Sequence, residues 1–350
     1  MNPREPAALL QELVRIPSIS KNEAPLADRV AEILSEDGFE PVRSGRNVWC
    51  RIGNGSPSLL LNTHLDTVPI APGWTRDPHA ALLDGGRIFG LGANDAKGCL
   101  TAMLLALPRL RNVRGSLYLA ATCDEEVGKG EGLEVLLPTL PPMDAAIVGE
   151  PSSLNIARAQ RGLVVLKNTA RGRSGHASRP LEGINAIEIA AADVIALKHL
   201  TFDRPHPLLG NPTIQVTLVQ GGTTRNMIPA ECTYTCDIRT TPNVGNEAII
   251  EKIRSIVLSH VEVASQRLHP RETPENSRIV QAARRAQPKA EVYGFPSLTD
   301  LVHVPGPGIV LGPGHRTQSH APDESIEIAE VARAVEVYAR TVEEYFGGSS

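Results

Sequence analysis

Four segments of this 350-residue chain read as strands, and each ends on residues able to ligate a metal. Leu59-Leu60-Leu61 leads to His64 and Asp66, and Ser116 to Ala121 leads to Asp124, Glu125 and Glu126. Ala145 to Val148 leads to Glu150, and Gly308 to Leu311 leads through a Gly-Pro-Gly turn to His315 and His320. Between the first two, the turn Gly90-Leu91-Gly92 presents Asp95. Open α/β sheets bind ligands at the carboxyl ends of their strands. Two histidines and several acids delivered there by separate strands therefore imply one shared pocket. Imidazole with carboxylate suits zinc, cobalt or manganese.

The rest of the chain supplies a frame for such a sheet. Leu9, Leu10, Leu13 and Val14 make one helical stripe; Leu26, Val30, Ile33 and Leu34 make a second, which Gly38 is placed to stop. Strands and helices alternate up to Glu150, with a buried helix expected over Ala102 to Leu107. Past Pro151 the pattern changes. Leu163 to Ala170, Ile214 to Leu218 and Cys232 to Ile238 read as strands, and Asn185 to Leu197 and Glu247 to Val263 as helices. This is a compact α+β module inserted into an α/β domain. The catalytic domain is expected at 1–157 and 267–350 and the insert at 158–266. Ile328, Val331, Val335, Tyr338, Val342 and Tyr345 recur at steps of three and four, so a long C-terminal helix packs on the sheet.

Composition narrows the function. A net charge of −4 gives no field that favours a nucleic acid or an anionic membrane, and only 3% aromatic residues leave few platforms for stacking bases. No apolar run approaches the roughly 18 residues of a membrane span. Five cysteines, an odd number without a CxxC pair, suggest neither a disulfide framework nor a cysteine zinc site. With no signal-peptide pattern at the N-terminus, the cytoplasm is the expected location.

Two divalent ions about 3.5–4 Å apart need a bridging carboxylate and terminal ligands for each. Asp95, short and on a turn, suits the bridge. His64 and Glu150 could complete one shell, and Glu126 and His320 the other. Glu125 is left over; adjacent residues in an extended segment point opposite ways, so it should not share an ion with Glu126. A carboxylate beside a metal site is placed for general-base work. Taken singly, each feature has a plainer reading: a His-x-Asp on a loop is usually a surface hydrogen bond, an acidic triplet a solvated turn, and His176 a cap. The convergence is what argues otherwise. His315, five residues from His320, is a minor alternative ligand, and the chain has no H-E-x-x-H helix and no nucleophile elbow.

The motifs Leu61-Asn62-Thr63-His64-Leu65-Asp66-Thr67-Val68-Pro69, Gly90-Leu91-Gly92-Ala93-Asn94-Asp95-Ala96-Lys97-Gly98, Asp124-Glu125-Glu126 and Gly149-Glu150-Pro151 resemble those of the M20 metallopeptidase and deacylase family. The insert is similar too: Gly172-Arg173-Ser174-Gly175-His176-Ala177-Ser178 resembles the lid-domain histidine motif, and Asn226-Met227-Ile228-Pro229 with Asp237-Ile238-Arg239 resembles the substrate-contact strand. The resemblance implies a zinc-peptidase-like catalytic domain with a ferredoxin-like lid and dimerisation domain. It implies two divalent ions, zinc above cobalt or manganese, one held by His64, Asp95 and Glu150 and the other by Asp95, Glu126 and His320. Asp66 would orient His64 through its second nitrogen. Glu125 would be the general base and then acid. His176 would stabilise the oxyanion from the partner subunit of a homodimer, and Asn226 and Arg239 would contact substrate.

The implied reaction is hydrolysis of a linear N-acyl amide on a small-molecule amino acid. Pro72-Gly73-Trp74-Thr75-Arg76-Asp77-Pro78 and the run from Leu311 to Glu324 look most like the acetylornithine deacetylase branch, which points to arginine biosynthesis. Succinyl-diaminopimelate desuccinylase, acetylcitrulline deacetylase and a carrier-protein lysine or ornithine hydrolase share the core motifs. A non-catalytic scaffold of the same fold would be expected to have lost Glu125 or a ligand, and none is missing.

Overall fold

The computed structural model describes residues 4–128 and 130–347. They form two compact units, one of described residues within 4–158, 273–293 and 299–347 and one of residues 159–272 and 294–298. In the first unit a mixed sheet runs in the order Val42–Ser44, Asn47–Ile52, Ser116–Thr122, Ser58–His64, Ala145–Val148, Gly308–Val310, Ile156–Gln160. The four strands expected to carry the site are its parallel centre. Ser58–His64 pairs with Ser116–Thr122 on one side and Ala145–Val148 on the other, and Gly308–Val310 pairs with the outer face of Ala145–Val148. His64 lies opposite Thr122 and Asn62 opposite Val148, so the chain leaves three neighbouring strands at one edge of the sheet.

Every residue of Ser58–His64 and Ser116–Thr122 is buried, as a sheet covered on both faces requires. The helix Gly98–Ala106 is buried nearly all round and carries no polar stripe. The amphipathic helices Pro6–Val14, Ala24–Glu36, Arg278–Ala286 and Ile328–Gly347 turn one face inward, with Leu13, Ile33, Val280 and Val342 fully buried. Each such side chain contributes about 1.5–3 kcal/mol relative to exposure. No helix among the described residues is long and apolar enough to cross a membrane.

The second unit is a four-stranded antiparallel sheet in the order Thr213–Gly221, Glu231–Thr240, Gly162–Arg171, His260–Leu268. The helices Ala186–Lys198 and Asn246–Arg254 accompany it, and Leu166, Tyr234, Cys236 and Ile249 form its core. Strand, helix, two strands, helix, strand is the ferredoxin-like connectivity. It corrects one expectation: the second helix ends at Arg254 rather than Val263. Val261 and Val263 alternate with outward residues and pair with Asn168 and Leu166 in a strand. Strand pairing with the central strand outweighs the helical propensity of the preceding run.

Candidate metal centre

The strand ends deliver His64 and Glu150 buried, while Asp95 comes from a kinked segment, Ala93–Lys97, in which its own φ and ψ of −126° and 94° are not helical. Nε2 of His64 lies 3.2 Å from Oδ1 of Asp95 and 3.8 Å from Oε1 of Glu150. Nε2 of His320 lies 2.9 Å from Oε1 of Glu126 and 3.8 Å from Oδ2 of Asp95. The two oxygens of Asp95 therefore face two different histidines. Donor atoms of His64, Asp95 and Glu126 fall within 4.8 Å of one another, as do those of His64, Glu125 and Glu150. Imidazole nitrogen with carboxylate oxygen is a donor set that fits zinc, cobalt or manganese.

Asp66 meets the second nitrogen of His64 through both its backbone carbonyl and its carboxylate. Nδ1 of His64 donates to the backbone carbonyl of Asp66 at 2.9 Å, which leaves Nε2 facing the acids. The Asp66 carboxylate is 3.5 Å from that nitrogen and also accepts the backbone N–H groups of Glu125 and Glu126, both at 3.1 Å, and the Ser20 hydroxyl at 2.7 Å. Glu125 and Glu126 lie in a turn rather than an extended segment, entered through Asp124 at φ +60°. They join different donor groups because the turn separates them, not because a strand alternates. Asp124 points elsewhere. Arg46 bridges its carboxylate to that of Glu23, and the backbone N–H of Asp124 also donates to Glu23 at 3.2 Å. Both acids are buried, so this ion cluster anchors the turn from below.

The electrostatics are those of a crowded anionic pocket. Burial, then Glu126, Asp300 and Asp66, push Glu125 well above the usual carboxylate range, with His64 opposing. Burial, then Asp95, Glu125 and Glu126, do the same to Glu150 against His64. Burial works against a charged His64, yet Glu150, Asp66 and Asp95 outweigh it and hold the imidazole well above its ordinary value. His320 is raised chiefly by its hydrogen bond to Glu126. Asp95 is lowered despite burial, because His64 bonds to it. Four carboxylates converge on two imidazoles, and cations are what such a set accommodates.

Two buried acids escape a strand-end reading. Asp300, 5% exposed, accepts the Thr122 hydroxyl at 2.9 Å and is pushed up to about 6 by burial. Glu324, 1% exposed, accepts three backbone N–H groups of the Asp95 loop and is pushed up to about 8 by burial and by Asp95, those amides opposing. The sequence offers only its adjacency to the His320 motif as a signal. His315 bonds through Nδ1 to the Thr317 hydroxyl, and its backbone N–H donates to Asn94.

The other three predicted residues belong to the second unit. His176 and Asn226 are neighbours there, since His176 pairs with Met227 and the carbonyl of Asn226 accepts the N–H of Ala177 at 3.0 Å. Nδ1 of His176 accepts the N–H of Ser178 at 3.2 Å, which in the neutral ring places the proton on Nε2. Arg239 bonds through Nε and Nη2 to the carboxylate of Asp237, at 2.7 and 3.0 Å.

Sheet-end histidines and acids of this kind define a metal-competent carboxylate cluster. Residues 60–344 match Peptidase family M20/M25/M40, and the chain belongs to that family. It is 31% identical, over 91% of its length and 92% of the relative's, to acetylornithine deacetylase from Shigella sonnei. Among solved structures it is similar to aminopeptidase PepT from Bacillus cereus, at a TM-score of 0.81 and 21% identity over 99% of both chains. It is likewise similar to the Bacillus subtilis YXEP protein, a dinuclear metal-binding peptidase of the M20 family, at a TM-score of 0.75 and 15% identity over 98% of both chains.

Proposed function

We propose that the chain is a two-metal amidohydrolase that removes the acetyl group from N-acetylornithine. The observation that carries the two-metal reading is the division of Asp95, whose Oδ1 faces His64 and whose Oδ2 faces His320. His64, Asp95 and Glu150 would hold one ion and Asp95, Glu126 and His320 the other, with zinc favoured over cobalt or manganese by the mixed imidazole and carboxylate donors. When bound, the ions supply Lewis acidity toward water and toward an acyl oxygen.

The chain's own groups carry the proton transfers. Glu125, with its affinity for a proton raised by burial, takes one from water as that oxygen bonds to the acyl carbon. It returns the proton to the amide nitrogen as the carbon–nitrogen bond breaks, so acetate and a free amine leave. Nε2–H of His176, contributed by the partner subunit of a homodimer, donates to the developing oxyanion. Asn226 and Arg239 bind polar groups of the substrate; Arg239 would exchange Asp237 for a substrate carboxylate.

The acetyl and ornithine assignments rest on the similarity to the Shigella sonnei deacetylase and on the motifs from Pro72 to Pro78 and Leu311 to Glu324. A panel assay on the zinc- or cobalt-loaded protein tests them. N-acetylornithine is expected to exceed N-acetylcitrulline, N-succinyl-diaminopimelate and a dipeptide by at least about tenfold in kcat/KM, the effect of one misfitted group in a pocket. Equal, weak rates on all four would remove the assignment.

The dimer reading rests on the edge strand Thr213–Gly221, where Leu218 and Val219 are 62% and 59% exposed. An open apolar edge is a template for pairing with a second copy. Sedimentation should give twice the chain mass for the native protein and the single mass for Val219→Arg. A native protein that sediments as a monomer at micromolar concentration would refute the dimer.

A further inference from the structure

We propose that Glu324 is the positioning residue for Asp95, fixing where the shared carboxylate stands without ligating metal itself. The inference rests on the two-metal reading above and deepens it.

Asp95 leaves its loop in a conformation that no regular element imposes, with φ −126° and ψ 94°. Something else must hold that backbone, and Glu324 takes up its amides. Oε1 accepts the N–H of Asn94 at 2.8 Å and of Asp95 at 2.9 Å, and Oε2 accepts the N–H of Gly92 at 3.0 Å. The main-chain carbonyl of Glu324 accepts the N–H of Gly90 at 2.9 Å. One residue thus satisfies four amides of the six-residue run from Gly90 to Asp95. Gly92 makes the wrap possible: its φ is +79°, and a Cβ there would meet the Thr67 methyl at 2.6 Å.

Both carboxylate oxygens are occupied by amides, and Glu324 belongs to neither group of metal-competent donors. The segment that carries it also carries His320, four residues earlier. Asn94 accepts the N–H of His315 at 2.8 Å and donates to Ser319 at 3.4 Å. Asp323 fastens the other side, accepting the N–H groups of Thr75 and Arg76 at 3.0 and 3.1 Å. The loop that brings one ligand therefore clamps the loop that brings the other. Buried carboxylates holding several amides are rigid, because each amide released is left without water.

Glu324→Gln tests this. The side chain keeps its shape but offers one acceptor, and its NH2 group faces an amide N–H it cannot accept. Cobalt titration of the metal-free full-length chain should give two equivalents for the native protein. In the variant, binding should weaken by about 10- to 100-fold, the usual effect of losing a partner behind a ligand, and the visible absorption of bound cobalt should change. Glu336→Gln, an exposed acid of the C-terminal helix that pairs with Arg109 away from the clamp, should titrate as the native protein does. Hydrogen exchange supplies a readout without metal: the amides of Gly92, Asn94 and Asp95 should exchange at least about a hundredfold more slowly in the native chain than open-loop amides. Glu324→Asp, one methylene short, should move each readout in the same direction and serves if the glutamine variant does not fold. Native cobalt affinity and absorption in Glu324→Gln, beside a native chain that binds two ions, would overturn the positioning role alone. Unprotected amides in the native chain would overturn it as well. A native chain that takes up no cobalt would remove the two-metal reading and this inference with it.

Discussion

Glu125→Gln is expected to lower turnover by about 100- to 10,000-fold, the range lost with a general acid–base group. Metal content and unfolding midpoint should remain those of the native protein. The substitution preserves shape but removes proton affinity, which is the property that burial among Glu126, Asp300 and Asp66 enhances. The turn survives because its link to Asp66 runs through the backbone N–H of Glu125, not its side chain. Steady-state kinetics with metal analysis on the same preparation check both halves. Retained turnover on the order of a tenth of native would assign the base elsewhere. Lost metal would show that Glu125 acts as a ligand, as its proximity to His64 and Glu150 permits.

Asp95→Asn should act on both halves of the centre at once. Asparagine offers one neutral acceptor where the carboxylate presents Oδ1 to His64 and Oδ2 to His320. Metal ions contribute several kcal/mol to reactions of this class, so loss of the shared ligand should reduce turnover by more than about a hundredfold. Bound metal should fall well below two equivalents. Stability of the metal-free protein should fall, because the ionised Asp95 that His64 favours is lost and the buried His64 imidazole loses one of its carboxylate partners. Metal analysis and thermal unfolding after chelation separate these effects. Full metal content in this variant would exclude a bridging role.

Much of this centre is legible because each donor follows a strand. His64, Glu125, Glu126 and Glu150 come from three adjacent parallel strands, and the sheet's polarity is enough to gather them. His320 and Asp95 follow from motif and turn. What holds the donors is not legible in the same way. Arg46 reaches Glu23 and, 78 positions away in sequence, Asp124; no local pattern pairs them. Glu324 resembles any acid after a histidine until the loop from Gly90 to Asp95 is wrapped around it. Asp66 illustrates an intermediate case: its position beside His64 predicts a contact with the ring, whereas the amides of Glu125 and Glu126 that its carboxylate also accepts come from another strand end. The helix predicted through Val263 overran because Ile249, Ile250 and Ile253 set a helical rhythm, and only pairing with Asn168 and Leu166 reveals the strand that follows.

The central claim is that one carboxylate stands between two ions. The direct measurement is anomalous scattering at the zinc edge from crystals of the zinc-loaded protein. Two peaks about 3.5–4 Å apart, one on each side of Asp95, are predicted, with His64 and Glu150 at the first and Glu126 and His320 at the second. A single peak, or a pair that does not share Asp95, would contradict the account.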